Sequence, residues 1–160
     1  MLNITYIYLG AQKDAYFRSA MDEYIKRISR FAKFCERVVK PEMLSDNPSQ
    51  NEIDLCLEKE AKNILSQIPK NAYTVAMCIE GKQMSSEELA KSFENIALSG
   101  KSDVCFIVGS SHGLSQKVKN ACDMKLSFSK MTFAHGLFGV MLCEQIYRAL
   151  SINAGEKYHK

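Results

Sequence analysis

Two short stretches of the chain are apolar at nearly every position. They are residues 73–79 (YTVAMCI) and 103–108 (DVCFIV). A strand covered on both faces by other elements has this pattern, whereas a strand with one face in water alternates apolar and polar residues. Strands buried on both faces occur almost only in parallel sheets with helices on each side. The two runs therefore predict the centre of an α/β sheet.

Strand and helix patterns alternate along the rest of the chain. Besides the two central runs, the predicted strands are 2–9, 34–39 and 124–128. The predicted helices are 14–31, 51–68, 86–98, 115–122 and 136–153. This alternation predicts a single domain over residues 1–160, with a mostly parallel sheet and helices on both faces.

The cysteines and the apolar runs indicate the environment of the protein. The six cysteines form no CxxC pair, and Cys78, Cys105 and Cys143 lie in apolar runs, where a free thiol behaves as a small core residue. No run approaches the ~18 apolar residues of a membrane span, and the N-terminus lacks the features of a signal peptide. We expect a cytoplasmic protein with no disulfide framework, no metal site and no membrane contact.

Charge is distributed unevenly, although the net charge is only +3. Residues 1–40 carry 8 basic and 4 acidic side chains, residues 41–99 carry 5 and 10, and residues 100–160 carry 8 and 4. Two basic ends around an acidic middle fit a face that meets phosphate groups. The two basic ends therefore make a non-catalytic RNA-binding module one hypothesis. A scatter of surface charge without functional meaning explains the same numbers equally well.

Three loops follow the carboxyl ends of predicted strands, where open α/β sheets bind ligands. They are EGKQMSS after residue 79, GSSHG after residue 108 and SKMTFAHG after residue 128. The glycines of GSSHG allow a ligand to approach the backbone closely. The run 128–133 (FSKMTF) can surround an adenine-sized ring with backbone amides and apolar side chains. A plain connector is the simpler interpretation of that run taken alone.

The GSSHG loop also matches GxSxG, the nucleophile turn of α/β-hydrolases. Ser111 would be the nucleophile, with Asp123 and either His135 or His159 completing a triad. The chain is short for such a hydrolase, and no GxGxxG or Walker lysine points to a nucleotide-binding loop instead. A small serine hydrolase remains an alternative at this point.

The C-terminal region holds further polar candidates. Glu144 precedes Arg148 by four residues, the favourable order for an ion pair on a helix, and arginine suits phosphate or carboxylate. The terminal Tyr158-His159-Lys160 could stack on a base, transfer a proton and contact phosphate. A frayed chain end is the alternative interpretation. His135 could act through its ring nitrogens.

Three segments together resemble one known family. They are FIVGSSHGL, LSFSKMTFAHGLFGVMLCEQIYRAL and the terminal YHK. They are similar to the RlmH family of SPOUT-class methyltransferases, which modify a pseudouridine of 23S ribosomal RNA. The resemblance extends over the whole chain, and its C-terminal third is the specific part.

The resemblance implies a C-terminal trefoil knot, whose loops bind S-adenosylmethionine, and a homodimer in which two subunits form each active site. It implies methylation of N3 of a pseudouridine in 23S rRNA, free or within the large subunit or ribosome. Matching positions assign Arg148, Tyr158, His159 and His135 to substrate binding and catalysis. The implied cofactor pocket comprises Met77, Gly109, Phe128, Ser129, Lys130, Met131, Thr132 and Phe133.

Two positions depart from the pattern of this family. Ser110 stands where the family usually has a second glycine, so its Cβ either narrows the pocket or faces solvent. Gly139 stands where the family often has arginine. The second departure puts one basic contact, with RNA or across the dimer, in doubt.

Overall fold

The computed structural model describes residues 1–160 as five strands and five helices in strict alternation. The strands are β1 (Leu2–Leu9), β2 (Ala32–Val39), β3 (Tyr73–Gln83), β4 (Asp103–Val108) and β5 (Met124–Ser127). The helices are α1 (Ala15–Ile28), α2 (Gln50–Gln67), α3 (Ser86–Leu98), α4 (Gln116–Ala121) and α5 (His135–Asn153). Every predicted element is present, in the predicted order.

All five strands are parallel, in the order β2-β1-β4-β3-β5. Parallel neighbours need a crossover connection, and a helix follows each strand to supply it. The two apolar runs occupy β3 and β4, both interior strands, as expected. The predicted α/β class is confirmed, with a sheet that is wholly rather than mostly parallel. The C-terminal knot stays a prediction.

Helices cover both faces of the sheet because successive strand residues point to opposite sides. Tyr6 and Phe106 belong to a core cluster with residues of α1, α3 and α5. Ile7 and Ile107, one position along each strand, belong to a second cluster with residues of α2 and α4. With a core on each face, residues 4–9 of β1 and 104–108 of β4 are all buried, which explains the apolar run of β4 and the apolar and aromatic residues of β1.

Strand β3 is longer than predicted, since the sequence indicated a loop from Glu80 onward. Val75 to Met77 pair with β5, the register then shifts, and Lys82 and Gln83 pair with β5 again. At Gly81 a Cβ would lie 2.7 Å from the backbone of Leu126, so only glycine fits this close approach. The extension pairs only with the edge strand, which is why its residues are polar and resemble a loop.

Helix α5 lies between α1 and α3 on one face of the sheet. Leu142, Ile146 and other apolar residues of α5 are buried against these neighbours. At Gly139 a Cβ would lie 3.1 Å from Met21 Sδ and 3.3 Å from the Tyr6 hydroxyl oxygen. Position 139 is therefore a helix-packing position here, with no room for a long side chain in this arrangement.

Candidate functional site

A pocket of about 590 Å³ lies at the edge of the sheet where β3, β4 and β5 end. Residues from the loops after β4 and β5 line it, together with the far part of β3. Lys119 of α4 and Phe138 of α5 add side chains from opposite faces of the sheet. Ligands of parallel α/β sheets bind at this edge. The three strand-end segments identified in the sequence thus contribute to one cavity, of a size typical for small-molecule ligands.

Seven of the eight residues expected to form a cofactor pocket line this cavity. Lys130 is the exception, because its side chain is exposed and is not part of the wall. His135, expected among the catalytic residues, also lines the cavity. The seven are Met77, Gly109, Phe128, Ser129, Met131, Thr132 and Phe133.

The turn after β4 requires glycine at two positions. A Cβ on Gly109 would lie only 2.2 Å from the carbonyl oxygen of Gly113. The turn closes because the Gly113 N–H donates to the Ser110 carbonyl at 2.8 Å, with Gly113 at φ +81°. Glycine adopts positive φ without the steric cost that other residues meet. This part of the pocket wall is therefore formed by closely packed backbone.

The Ser110 hydroxyl is hydrogen-bonded to the buried carboxylate of Glu60, a residue that is not part of the pocket wall. Ser110 Oγ donates to Glu60 Oε1 at 3.3 Å, and the Glu42 backbone N–H donates to Glu60 Oε2 at 3.1 Å. Glu60 is only 2% exposed, and burial raises the pKa of its carboxyl group. Sequence reasoning missed Glu60, whose single signal is an acidic residue within the apolar stripe of α2. The Ser110 hydroxyl therefore ties the pocket turn to α2.

The loop after β5 is ordered by its own hydroxyl groups and by α5. Ser127 Oγ donates to the Ser129 carbonyl at 3.0 Å, and the Met131 N–H donates to Ser129 Oγ at 3.0 Å. The Phe128 ring stacks on Phe138, with ring centroids 5.1 Å apart. Aromatic and apolar side chains of this loop line the cavity. Such a wall suits a flat, weakly polar ring.

His135 is the first residue of α5 and lies at the pocket. Its ring centroid lies 6.3 Å from that of the Tyr8 ring. Partial burial lowers the pKa of the imidazole. The ring is therefore mainly neutral at pH 7, with one nitrogen donating and the other able to accept a proton.

Arg148 and Tyr158 form a second polar group around Glu144. Arg148 Nε and Nη2 donate to Glu144 Oε1 at 3.0 and 2.6 Å, and the Tyr158 hydroxyl donates to the same oxygen at 3.0 Å. The guanidinium carbon lies 4.6 Å from the Tyr158 ring centroid. His159 completes the group by contacting Arg148 and Glu87. The chain end is thus packed on α5 and α3, and the frayed-end interpretation is wrong.

The environment of Tyr158 determines its protonation state. Burial, followed by the influence of the neighbouring Tyr24 and Glu144 side chains, raises the pKa of its phenol. A phenol shifted in this direction stays protonated at neutral pH. Tyr158 therefore presents a hydrogen-bond donor rather than a base.

Within the chain, the group around Glu144 does not reach the pocket. Arg148, Tyr158 and His159 are all absent from its wall. A second cavity, of about 300 Å³, shares Leu126 and Phe128 with the pocket and extends to Gln145, the neighbour of Glu144 in sequence. The structure brings seven of the expected cofactor residues together with His135, and it groups Arg148, Tyr158 and His159 at a second, adjoining site.

One charged pair of the pocket wall was not identified from the sequence. Lys119 of α4 forms an ion pair with Glu80 of β3, and both residues line the cavity. The hydrogen bond from Lys119 lowers the pKa of Glu80, which stays ionised. The two residues are 39 positions apart in sequence, so no local pattern could have indicated the pair.

The geometry contradicts the serine hydrolase alternative. Asp123 accepts hydrogen bonds from the backbone N–H and hydroxyl of Thr74, at 2.8 and 2.9 Å. Thr74 lies at the start of β3, the opposite end from the Ser111 turn. The carboxylate therefore cannot orient a histidine beside Ser111, and no triad exists. The GxSxG match reflects the glycine requirement of the turn.

The chain was expected to hold no membrane span, no disulfide framework and no metal site. No helix has the length and apolarity needed to cross a membrane. All six cysteines are free. No three His, Cys, Asp or Glu side chains are grouped so that they could hold a metal ion.

Comparison with known proteins places these sites in a family context. Residues 2–159 match a family profile described as "Predicted SPOUT methyltransferase". The chain is 46% identical over 159 residues to a ribosomal RNA large subunit methyltransferase H of Clostridium kluyveri, covering 99% of this chain and 100% of that protein. A protein of the same name from Clostridioides difficile is 43% identical, with the same coverage.

Solved structures show the same fold at much lower identity. A tRNA (m1G37) methyltransferase from Aquifex aeolicus matches with a TM-score of 0.55 and 13% identity. The match covers 99% of this chain and 73% of that one. At this identity the likeness is evidence for the fold alone.

Proposed function

Because the chain belongs to the SPOUT methyltransferase family, we propose that it methylates N3 of a pseudouridine in 23S ribosomal RNA with S-adenosylmethionine as the methyl donor. The observation that carries this proposal is the convergence of Met77, Gly109 and the loop 128–133 on one pocket. Relatives that match over their full length are named as large-subunit rRNA methyltransferases. Localisation in the cytoplasm, where ribosomes are available, is part of the same proposal.

The pocket residues fit the proposed cofactor. An adenosine moiety needs an apolar wall for its base and backbone groups for its edges. Phe128, Phe133 and the packed backbone at Gly109 offer both kinds of contact. When bound, S-adenosylmethionine supplies a methyl group on a sulfonium, which is already strongly electrophilic. The protein's main task is then to align the nucleophile and to remove its proton.

Proton removal from N3 is assigned to a histidine. His159 is our candidate for the general base, with His135 as the second candidate because it lies in the pocket itself. Tyr158, whose phenol stays protonated, would donate a hydrogen bond to the substrate. Arg148 would bind an RNA phosphate or hold the base, which suits its five fixed donors.

We further propose that the enzyme is a homodimer in which the tail of one protomer completes the pocket of the other. The support is the separation of the two sites within one protomer. Leu137, Met141, Glu144 and Arg148 recur at helical spacing along α5, and Leu137 is 39% exposed. These four residues form a stripe on α5 that is apolar at Leu137 and Met141 and polar at Glu144 and Arg148. If the apolar end packs against a second protomer, the pocket of that protomer would lie close to Arg148.

RNA contact is proposed for the surface that continues from the tail onto α1. The Arg27 guanidinium lies 5.5 Å from the Tyr24 ring centroid and 5.8 Å from that of Tyr147. Tyr147 itself is buried, and its ring meets that of Tyr158 edge-on at 4.7 Å. Arginine and aromatic side chains together bind unstacked bases and phosphates of RNA.

The test is a methylation assay on three substrates: free 23S rRNA, isolated large subunits and whole ribosomes, each lacking the modification. With labelled S-adenosylmethionine, we expect label at N3 of a pseudouridine in at least one of them, mapped by nuclease digestion and mass spectrometry. RNA binding without methyl transfer would support the non-catalytic module instead. Label on another base or on tRNA would contradict the proposed substrate.

A further inference from the structure

The pocket wall has different chemistry on the two faces of the sheet. On the α5 face it offers aromatic side chains, including the stacked Phe128 and Phe138. On the α4 face it offers an ion pair, Lys119 with Glu80. An adenosine moiety can pack against the aromatic wall, but it has no charged group that could bind to the ion pair. The ion pair is therefore unexplained by nucleoside binding.

The two partners of this pair differ in exposure. The Lys119 side chain is 15% exposed, whereas that of Glu80 is 56% exposed. A cation so largely removed from water needs a compensating anion, and Glu80 supplies one. Both residues belong to the cavity lining, so a ligand in the cavity can reach a fixed positive and a fixed negative charge side by side.

We propose that Lys119 and Glu80 bind the amino-acid end of the cofactor, Lys119 its α-carboxylate and Glu80 its α-ammonium group. A zwitterion presents the same two charges in the same close spacing, so each charge of the pair gains an opposite partner. The pair then selects a nucleoside that carries an amino acid over a plain nucleoside. Glu80 would also repel a nucleotide phosphate chain. This inference rests on the proposed cofactor.

The test compares two ligands that share the adenosine and thioether parts. S-adenosylhomocysteine carries the amino acid, and 5′-methylthioadenosine lacks it. Calorimetry gives both affinities for wild type, Lys119→Met and Glu80→Gln. We expect either substitution to lower the affinity for S-adenosylhomocysteine about tenfold, the usual scale of a lost charge-assisted contact. The affinity for 5′-methylthioadenosine should stay unchanged.

Two further variants separate binding from a structural role. Lys125→Met removes an exposed lysine of β5 that is not part of the pocket wall, and it should change neither affinity. The double variant Glu80→Lys with Lys119→Glu keeps an ion pair but exchanges its charges. A purely structural pair would be restored by this exchange, so recovery of S-adenosylhomocysteine affinity would overturn the inference. We expect no recovery.

The outcomes also separate this inference from the proposed function. If wild type binds both ligands and no substitution changes their affinity ratio, only the role of the pair is overturned. If wild type binds neither ligand, the proposed cofactor is overturned as well. Glu80 is more than half exposed, so Glu80→Gln keeps the test decisive even where Lys119→Met disturbs folding.

Discussion

Arg148 Nη1 lies 3.2 Å from Nδ1 of His159. A guanidinium has only donors, so Nδ1 is the accepting nitrogen and the proton of the neutral ring is on Nε2. Nε2 in turn donates to Glu87 Oε1 at 2.7 Å. One tautomer of His159 is therefore held between a cation on α5 and a carboxylate at the start of α3. Before Nδ1 can take a proton from a substrate, the contact with Arg148 has to open, as it would if an RNA phosphate drew the guanidinium away.

The first prediction concerns the histidine of this pair. We expect His159→Ala to reduce methyl transfer to ribosomes on the order of 10²-fold or more, since that is the usual contribution of a general base. Cofactor affinity measured by calorimetry should be nearly unchanged, because His159 is not part of the pocket wall. Deletion of residues 158–160 should give the same separation of rate from binding. A normal rate in the truncated protein would move the base to His135.

The second prediction concerns the adjoining phenol. Burial raises the pKa of Tyr158, so the hydroxyl acts as a donor across the neutral range. Tyr158→Phe keeps the ring under Arg148 and removes only the hydrogen bond to Glu144. We expect a loss of about 3- to 10-fold in rate, the scale of one hydrogen bond. The pH–rate profile should keep its shape, and the disappearance of an ionisation from it would identify Tyr158 as a base after all.

The fold and the place of the cavity at the sheet edge could be predicted from the sequence because both depend on local patterns. The apolar runs of β3 and β4 follow from burial on both faces, and parallel strands bring their carboxyl ends to one edge. Residues 128–133 follow β5 directly, so the edge position of this loop could be predicted. Position in the loop does not determine which side chains face the cavity. Lys130 lies in the same loop but does not line the cavity, because alternate loop residues can point away from it.

The remaining features depend on contacts between distant segments. The Ser110–Glu60 hydrogen bond joins residues 50 positions apart, and the His159–Glu87 contact joins residues 72 apart. No periodicity encodes such pairs. The GxSxG match also arises from a contact that is not visible in the sequence. Position 109 requires glycine because the Gly113 carbonyl packs against it. The turn therefore has the glycine pattern of a hydrolase turn but not the hydrolase chemistry.

The third prediction uses the buried carboxylate of Glu60. Burial raises its pKa, so the folded protein holds this proton more tightly than the unfolded chain does. The resulting stabilisation is present at acidic pH and is lost as the pH rises through the raised pKa. Glutamine cannot ionise, so Glu60→Gln should gain stability relative to wild type as the pH rises above about 4.3, the ordinary pKa of a glutamate side chain. Urea unfolding at several pH values measures this difference. Glu58→Gln, an exposed position on the same helix, should show no such trend.

The fourth prediction compares two neighbouring positions of the pocket turn. Gly109→Ala places a methyl group 2.2 Å from the Gly113 carbonyl oxygen, so the turn has to shift. We expect a loss of about 1–3 kcal/mol in unfolding free energy, as for other overpacked sites, and strongly weakened cofactor binding. Ser111→Ala, at an exposed position of the same turn, should retain both stability and methyl transfer. An esterase activity that Ser111→Ala abolishes would revive the hydrolase hypothesis.

The fifth prediction tests whether two protomers share one active site. Thr132→Trp fills the pocket from an exposed loop position, so the fold should tolerate it, whereas His159→Ala damages only the tail. Each variant alone should be inactive. If the tail of one protomer serves the pocket of its partner, a mixed dimer contains one site with an intact pocket and an intact tail. Random exchange makes half of the dimers mixed, so mixing equal amounts should restore about a quarter of wild-type activity.

The mixed sample also distinguishes this arrangement from one in which pocket and tail act within the same protomer. In that case every site of every dimer carries one defect, and the mixture stays inactive. Light scattering on the same samples gives the mass of the particle. Monomers at micromolar concentration would remove the basis of the experiment and contradict the dimer proposal directly. Restored activity, by contrast, requires that Arg148 and His159 of one protomer reach the pocket of its partner, because within a single chain these two residues do not line the pocket.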